Sequence, residues 1–333
     1  MILPLLCSVL CFVTINSYQL DNFQLIADIV NSKKTTWTAE NTFPSHITPS
    51  GFKTLLGVKT AIGRLQVMKK SPLADSEVPL EFDSRKQWPR CVTIGHIQDQ
   101  GNCAAGWAIA TAGAFSDRLC IGRNGSYRAL LSSEQLLACC DGFGQGCQSG
   151  SVEDAWEFIQ THGIVSGGDY KSERGCQPYE IEPCNHRGKN LTFPDCSTQP
   201  QRKTPRCIRR CTNRNYEGRY NKDHHKSVSS FSIFDDAIEI QKEIVSRGPV
   251  EAIMYIFSDF FTYKSGIYHY ITGEYLGDQA VRIIGWGTEN GTDFWIVANS
   301  WNTEWGEAGF FRIKRGINAC GIESYISGGI PEV

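Results

Sequence analysis

The pattern of apolar and polar positions divides the chain into a helical first part and a strand-rich second part. From residue 84 to about residue 225 the chain is predicted to be helical and disulfide-rich, with a loop-like stretch over 176–226. Helices are predicted from Gly106 towards Cys120, after the capping pair Ser132 and Gln135, and from Ser151. After residue 227 a helix over 235–247 precedes apolar and β-branched runs, which predict strands over 250–257, 281–285, 294–298 and 310–313. This order of elements is typical of an α+β, two-lobe architecture.

Two further segments precede the lobes. Residues 1–17 form a short apolar run whose length and position favour a secretory signal peptide over a membrane span. Residues 18–77 contain no cysteine and include an amphipathic stretch, and we interpret them as a pro-segment rather than as a small subdomain. The predicted organisation is a signal peptide over 1–17, a pro-segment over 18–77, a helical disulfide-rich lobe over 78–226 and a strand-rich lobe over 227–333.

The composition indicates the cellular compartment of the protein and argues against some classes of partner. The net charge of -2 points to no nucleic acid partner, and no later apolar run is long enough to predict a membrane span. Of the 14 cysteines, all but Cys7 and Cys11 lie between Cys91 and Cys320, a density that fits an oxidising compartment. Glycosylation sequons begin at Asn124, Asn190 and Asn290. We therefore expect a secreted or lysosomal glycoprotein.

The stretch from Gln98 to Ala108 has the layout of a nucleophile site. A Gly/Gln turn leads through Cys103 to Trp107, where the predicted helix begins. The start of a helix lowers the pKa of a thiol placed on it, because the helix dipole favours the thiolate. Papain-like cysteine peptidases carry C-G-[SA]-C-[WY] at such a place. Here the sequence is C-A-A-G-W, so Gly106 stands where the family has its nucleophile.

Other motifs resemble the cathepsin B-like members of the papain-like family, from about residue 25 to residue 332. They are Phe82-Asp83-Ser84-Arg85 with Trp88-Pro89, Ser116-Asp117-Arg118-Leu119-Cys120, Asn299-Ser300-Trp301-Asn302 and Cys320-Gly321-Ile322-Glu323-Ser324. The resemblance implies a papain-like two-lobe fold with a helical left lobe, a β-barrel-like right lobe and the active-site cleft between them. It also implies an N-terminal pro-segment that lies through the cleft.

The resemblance assigns roles at the active site. Catalysis in this family needs a thiolate, a histidine base, an asparagine that orients the histidine and a glutamine that stabilises the oxyanion. Gln100 matches the oxyanion glutamine and Asn299 the orienting asparagine, whereas Gly106 replaces the cysteine and Gln279 replaces the histidine. A carboxamide does not titrate near neutral pH and is no general base. We predict a pseudopeptidase with a modified cleft, without a cofactor or a metal.

Two other functions stay open at this stage. One is a cathepsin B-type endopeptidase or peptidyl-dipeptidase with an unrecognised nucleophile, for which Cys103 is the nearest thiol, although the resemblance makes it a half-cystine. The other is an interaction protein that binds a polyanion through the basic stretch 202–226. A run of this kind is more often a solvated surface.

The cleft differs from the family pattern at further positions. Ser149 and Gly150 stand in a segment whose glycine backbone pairs with substrate in the family, and Asp278 replaces a glycine that faces the substrate backbone. Trp301 lies beside the orienting asparagine, and Tyr325 replaces the acidic residue at the floor of the main specificity pocket. These changes reflect either drift after catalysis was lost or a pocket reshaped for another ligand.

The occluding loop of cathepsin B is matched by residues 184–196. His186 and Asp99 keep one pair of that loop, while Arg187 replaces the histidine that receives the C-terminal carboxylate of a peptide. Arginine presents a planar fork of donors and stays charged at any physiological pH. Arg187 is therefore either a binding site for peptides and protein C-termini or a solvated loop residue.

The resemblance also implies a disulfide scheme, which sequence alone cannot give. The implied pairs are Cys91–Cys120, Cys103–Cys147, Cys139–Cys207, Cys176–Cys211 and Cys184–Cys196. Cys140 and Cys320 are left outside this scheme.

Overall fold

The computed structural model describes residues 22–59, 63–140, 146–187 and 193–333. The helices of this part are α1 (Phe23–Ser32), α2 (Ser84–Gln87), α3 (Gly106–Gly122), α4 (Ser133–Cys139), α5 (Val152–Thr161) and α6 (Ala237–Arg247). Its strands are β1 (Trp37–Ala39), β2 (Val58–Lys59), β3 (Gln66–Val67), β4 (Phe82–Asp83), β5 (Gly150–Ser151), β6 (Ser227–Ile233), β7 (Val250–Phe257), β8 (Tyr263–Tyr268), β9 (Tyr275–Glu289), β10 (Thr292–Ala298), β11 (Phe310–Lys314) and β12 (Ile326–Pro331). The predicted signal peptide and the sequon at Asn190 lie outside the described residues.

The helices of the first lobe form where the sequence predicts them. α3 runs from Gly106 to Gly122 and is buried along most of its length. Ser132 caps α4 by accepting a hydrogen bond from the Gln135 backbone N–H, and Ser151 caps α5 in the same way. α3 packs against α4 and α5 of the helical lobe and against β9 and β12 of the strand-rich lobe. The helix that carries the site therefore lies between the two lobes.

The strand-rich lobe is built around one sheet. Ten described strands form it in the order β1-β8-β11-β10-β9-β7-β12-β6-β3, with β4 paired to β9. The predicted α+β fold with two lobes and a pro-segment is confirmed. β7 has the predicted bounds, whereas the run over 281–285 is only the middle of β9. A second, two-stranded sheet joins β2 to β5 in parallel.

The described part of the pro-segment, residues 22–59 and 63–77, packs against the strand-rich lobe through a buried apolar face. Trp37, Phe43, Leu55 and Leu56 are all buried, and α1 contacts the turn at Ser258–Thr262. Burying a large apolar side chain contributes about 1.5–3 kcal/mol. The segment is consequently held by a set of contacts spread along its length.

Five disulfides cross-link the described residues, and they are the pairs that the resemblance implies. Cys140 is buried and Cys320 is half-buried, and both lie outside these five pairs. Asn124 and Asn290 are exposed with positive φ at turns. Within the described residues, no helix is long and apolar enough to span a membrane.

Candidate functional site

Gly106 begins α3, and the side chain of Gln279 on β9 lies directly against it. A Cβ atom added to Gly106 would lie 2.5 Å from Oε1 and 2.8 Å from Cδ of Gln279. Real side chains do not approach so closely, and Gln279 is fully buried. The carboxamide therefore fills the space that a side chain at residue 106 would need.

Gln279 is held by hydrogen bonds to three neighbours. Its Nε2 lies 2.9 Å from Gln100 Oε1, 3.1 Å from Ser300 Oγ and 3.3 Å from Asn299 Oδ1. Ser300 Oγ also donates to Gln100 Oε1 at 2.7 Å. The residues that the sequence assigns to the site are thus brought together around an amide. Ser300 was missed, and its only signal was its place between Asn299 and Trp301.

This cluster contains no group that ionises near neutral pH. Its side chains are carboxamides and one hydroxyl, and Gly106 contributes only backbone. A nucleophilic mechanism needs a group that becomes an anion and a base that takes its proton. The arrangement provides hydrogen bonds but neither of these functions.

The thiols of the described residues are poor candidates for a nucleophile. Cys103 is bonded to Cys147. Burial, followed by the nearby charge of Asp259, raises the pKa of Cys320 to about 12. Because the thiolate is the reactive form, Cys320 is a poor nucleophile at physiological pH. Cys140 is buried.

The pro-segment occupies the cleft beside this cluster. Gln100 Nε2 donates to the carbonyl of Leu55 at 2.8 Å and to that of Cys103 at 2.7 Å. The Gly57 N–H donates to the Asp278 carbonyl, and the Gly57 carbonyl accepts from the Gly150 N–H at 2.9 Å. The donor that the resemblance assigns to the oxyanion is thus bound to a peptide carbonyl of the same chain.

The altered cleft positions lie along this path. Ser149 is buried next to Gly57, and a Cβ on Gly150 would lie 2.0 Å from the Trp107 ring, so only glycine fits at residue 150. Asp278 Oδ1 accepts a hydrogen bond from the Tyr275 hydroxyl at 2.7 Å. Burial raises the pKa of Asp278.

The Tyr325 hydroxyl is hydrogen-bonded to a carboxylate on another element, Glu153 of α5. Its hydroxyl donates to Glu153 Oε1 at 2.6 Å, and Glu153 is only 1% exposed. Burial raises the pKa of Tyr325 well above its usual value, so the hydroxyl remains a donor. Sequence reasoning missed Glu153, whose only signal was an acidic residue in the first turn of a predicted helix.

The expected pair on the loop over 184–196 is formed. His186 Nε2 lies 2.8 Å from Asp99 Oδ1, and Asn302 donates to the other oxygen of Asp99 at 3.0 Å. The buried imidazole is nearly parallel to the ring of Trp301. The two sulfurs next to His186 belong to a disulfide, so they are not thiolate ligands for a metal.

Arg187 binds a carboxylate, and that carboxylate belongs to the pro-segment. Its Nη2 lies 2.7 Å from Glu40 Oε2, and its Nη1 donates to the Glu304 carbonyl at 2.9 Å. The Thr42 hydroxyl donates to the backbone carbonyl of Arg187. Arg187 is therefore a bound residue rather than a solvated one while the pro-segment is in place.

The basic stretch 202–226 is largely exposed. Arg202 pairs with Glu182 at 2.9 Å. The remaining basic side chains of the stretch are exposed: Lys203, Arg206, Arg209, Arg210, Arg214, Arg219, Lys222 and Lys226.

Comparison with known proteins gives consistent matches along the chain. Residues 78–330 match the family described as papain family cysteine protease. Cathepsin B-like cysteine proteinase 4 of Caenorhabditis elegans is 42% identical over 314 residues, which cover 93% of this chain and 92% of that protein. Cathepsin B-like cysteine proteinase 5 of the same organism is 41% identical over 93% of this chain and 90% of that protein. The structure of proCathepsin B S9 from Trypanosoma congolense superposes with a TM-score of 0.79 at 33% identity, covering 93% of this chain and 98% of that one.

Proposed function

Because this chain belongs to the papain family of cysteine proteases, we propose that it is a catalytically inactive, cathepsin B-like homologue that retains a modified peptide-binding cleft. The proposal rests on the packing of Gln279 against Gly106. Loss of one member of a nucleophile–base pair removes most of the rate that the pair provides. Here glycine stands at the position that the resemblance assigns to the nucleophile, and a carboxamide stands at the position of the base.

The retained cleft is supported by the peptide that fills it. The pro-segment contacts Gln100, Gly150 and Asp278 through its backbone, and backbone contacts accept many sequences. Arg187 binds a carboxylate through its guanidinium, which favours peptides and protein C-termini as ligands once Glu40 leaves. Secretion or lysosomal delivery with glycosylation is supported by the disulfides and by the exposed Asn124 and Asn290.

A second function is favoured by one observation. Basic side chains in the stretch 202–226 are exposed almost throughout, which suits a sulfated polyanion. Salt-sensitive retention on a sulfated polymer, reduced by neutralising Arg209 and Arg210, would support it. A peptidase with an unrecognised nucleophile finds less support, because Cys103 is bonded and the pKa of Cys320 is raised.

The inactive assignment is tested with a thiol-directed peptidyl inhibitor and a fluorogenic peptide, after an added protease has shortened the pro-segment. Wild type should show no labelling in the cleft and no hydrolysis. Gly106→Cys should also hydrolyse very little, since it lacks a base and its Cβ meets Gln279. Gly106→Cys with Gln279→His should regain labelling and measurable hydrolysis.

Controls separate the cleft from other thiols. Cys320→Ser removes a thiol outside the disulfides and should leave every result unchanged. The double variant shows that the inhibitor reaches the cleft. Labelling of wild type in the cleft, or strong activity of Gly106→Cys alone, would overturn the assignment of an inactive homologue.

A further inference from the structure

A second stretch of the pro-segment, residues 63–65, lies on the start of α5. Glu153, in the first turn of that helix, accepts hydrogen bonds from the backbone N–H groups of Gly63 at 3.1 Å and Arg64 at 3.3 Å. One buried carboxylate therefore binds two successive backbone amides at a turn, where Gly63 has a positive φ. This contact does not depend on the side chains of the peptide.

The neighbouring Asp154 binds a side chain instead. The Arg64 guanidinium donates to Asp154 Oδ1, and the aspartate side chain is 4% exposed while the arginine side chain is 40% exposed. A guanidinium offers several donors in a planar fork and is always charged. The buried partner is the protein's own carboxylate, and the cation reaches it from the surface.

The next residue of the pro-segment is apolar and buried. Leu65 is 9% exposed and belongs to the same apolar cluster as Ala280 and Tyr325. After it, β3 pairs in parallel with β6. Residues 63–67 thus make backbone, cationic and apolar contacts in succession, as a bound peptide does.

Removal of the pro-segment takes away hydrogen-bond donors from the Glu153 carboxylate. Of the described donors that contact its carboxylate, the Tyr325 hydroxyl is the one outside the pro-segment. Glu153 and Asp154 are adjacent carboxylates that both lose partners when the pro-segment leaves. They therefore favour a ligand that again supplies N–H donors and positive charge.

We infer that the start of α5 is a specificity site for peptides in which arginine precedes an apolar residue. Glu153 binds the peptide backbone, Asp154 binds the guanidinium, and the apolar side chain enters the cluster around Tyr325. This inference rests on the proposed function, since it names the ligand class of the same cleft.

The test uses the full chain cut between residues 73 and 78 by an added protease, from which the pro-segment piece is then removed by gel filtration so that it does not compete with the probe. Binding of a fluorescent peptide with the sequence of residues 54–67 is measured by anisotropy. A second peptide carries citrulline, which is uncharged and similar in shape, at the position of Arg64. Wild type should bind the arginine peptide about tenfold more tightly, because hydrogen bonds to charged groups are the stronger ones.

The variants assign the two contacts. Asp154→Asn should abolish the difference between the two peptides. Glu153→Gln should weaken both peptides by a similar factor and preserve the difference. Glu274→Gln removes an exposed carboxylate on the strand-rich lobe and should change neither.

The outcomes distinguish the two proposals. Equal binding of the arginine and citrulline peptides by wild type overturns the specificity site while leaving a peptide-binding cleft. Binding of neither peptide overturns the cleft as well. The comparison on wild type needs no variant, so a variant that folds poorly does not affect it.

Discussion

Gly106 and Gln279, which we propose stand at the positions of the reactive pair, fit each other in space. The carboxamide occupies the volume next to the glycine and binds Gln100, Asn299 and Ser300. Restoring a thiol alone would therefore disturb a packed and hydrogen-bonded amide. Gln100, Asn299 and Ser300 thus hold the Gln279 carboxamide in place.

Glu251 on β7 gives a pH dependence at the scale of a single residue. It is fully buried and accepts hydrogen bonds from Thr111, Trp156 and Ser327, and burial raises its pKa from 4.5 to about 8. The folded state thus holds a proton that the unfolded chain releases above pH 4.5. This contribution to stability is fully present below that pH and is lost as the pH rises towards 8, by about 1.4 kcal/mol per unit.

Urea unfolding at pH 5 and pH 7 measures this effect. Wild type should lose about 2–3 kcal/mol more between these pH values than Glu251→Gln, which cannot ionise. The pKa of Glu134 is raised in the same direction, so both proteins keep a common residual slope. Identical pH slopes for the two proteins would contradict the role given to Glu251.

Among the elements, the loop over 184–196 is joined to the pro-segment by the Arg187–Glu40 ion pair. Arg187→Ala and Glu40→Gln should each loosen β1, and a double-mutant cycle should give a coupling of about 1 kcal/mol, because neither side chain is more than 26% exposed. The readout is hydrogen exchange at the Glu40 N–H, which donates to the Thr262 carbonyl.

The neighbouring Lys264 provides the matched control for this pair. It lies 3.6 Å from the same carboxylate but is 51% exposed, so Lys264→Ala should have a much smaller effect. A coupling near zero between Arg187 and Glu40 would mean that this ion pair does not stabilise the contact between the loop and the pro-segment.

Elements marked by local signals were predictable, and those defined by distant partners were not. Ser132 and Ser151 marked helix starts through their own hydrogen bonds, and β7 is a continuous apolar run. β6 and β12 were missed because their serines and glycines are buried by pairing rather than by hydrophobic alternation. Glu153 was missed for the same reason, since its meaning depends on Tyr325 far along the chain.

At the scale of the whole molecule, the pro-segment should remain attached unless another protease acts. The inactive site that we propose gives the chain no means of cutting itself by thiolate–imidazole chemistry. The purified protein should stay full length at acidic pH and shorten only when a protease is added. We expect cleavage near Leu73–Val78, where residues 74–77 are exposed although Asp75 pairs with Lys242 on α6.

Gel electrophoresis over time at acidic pH, with and without a thiol reagent, follows this processing. The added protease should act equally in both conditions if it is not itself a thiol enzyme. Shortening at a rate that is independent of contaminants and abolished by the thiol reagent would overturn both this prediction and the inactive assignment.

The two outermost strands of the sheet, β1 and β3, both come from the pro-segment. Without them, β8 and β6 would become open edges whose N–H and C=O groups can pair with strands of other molecules. The segment that fills the cleft therefore also covers two strand edges that would otherwise favour aggregation. A shortened form gains an accessible cleft and, with it, two surfaces prone to self-association.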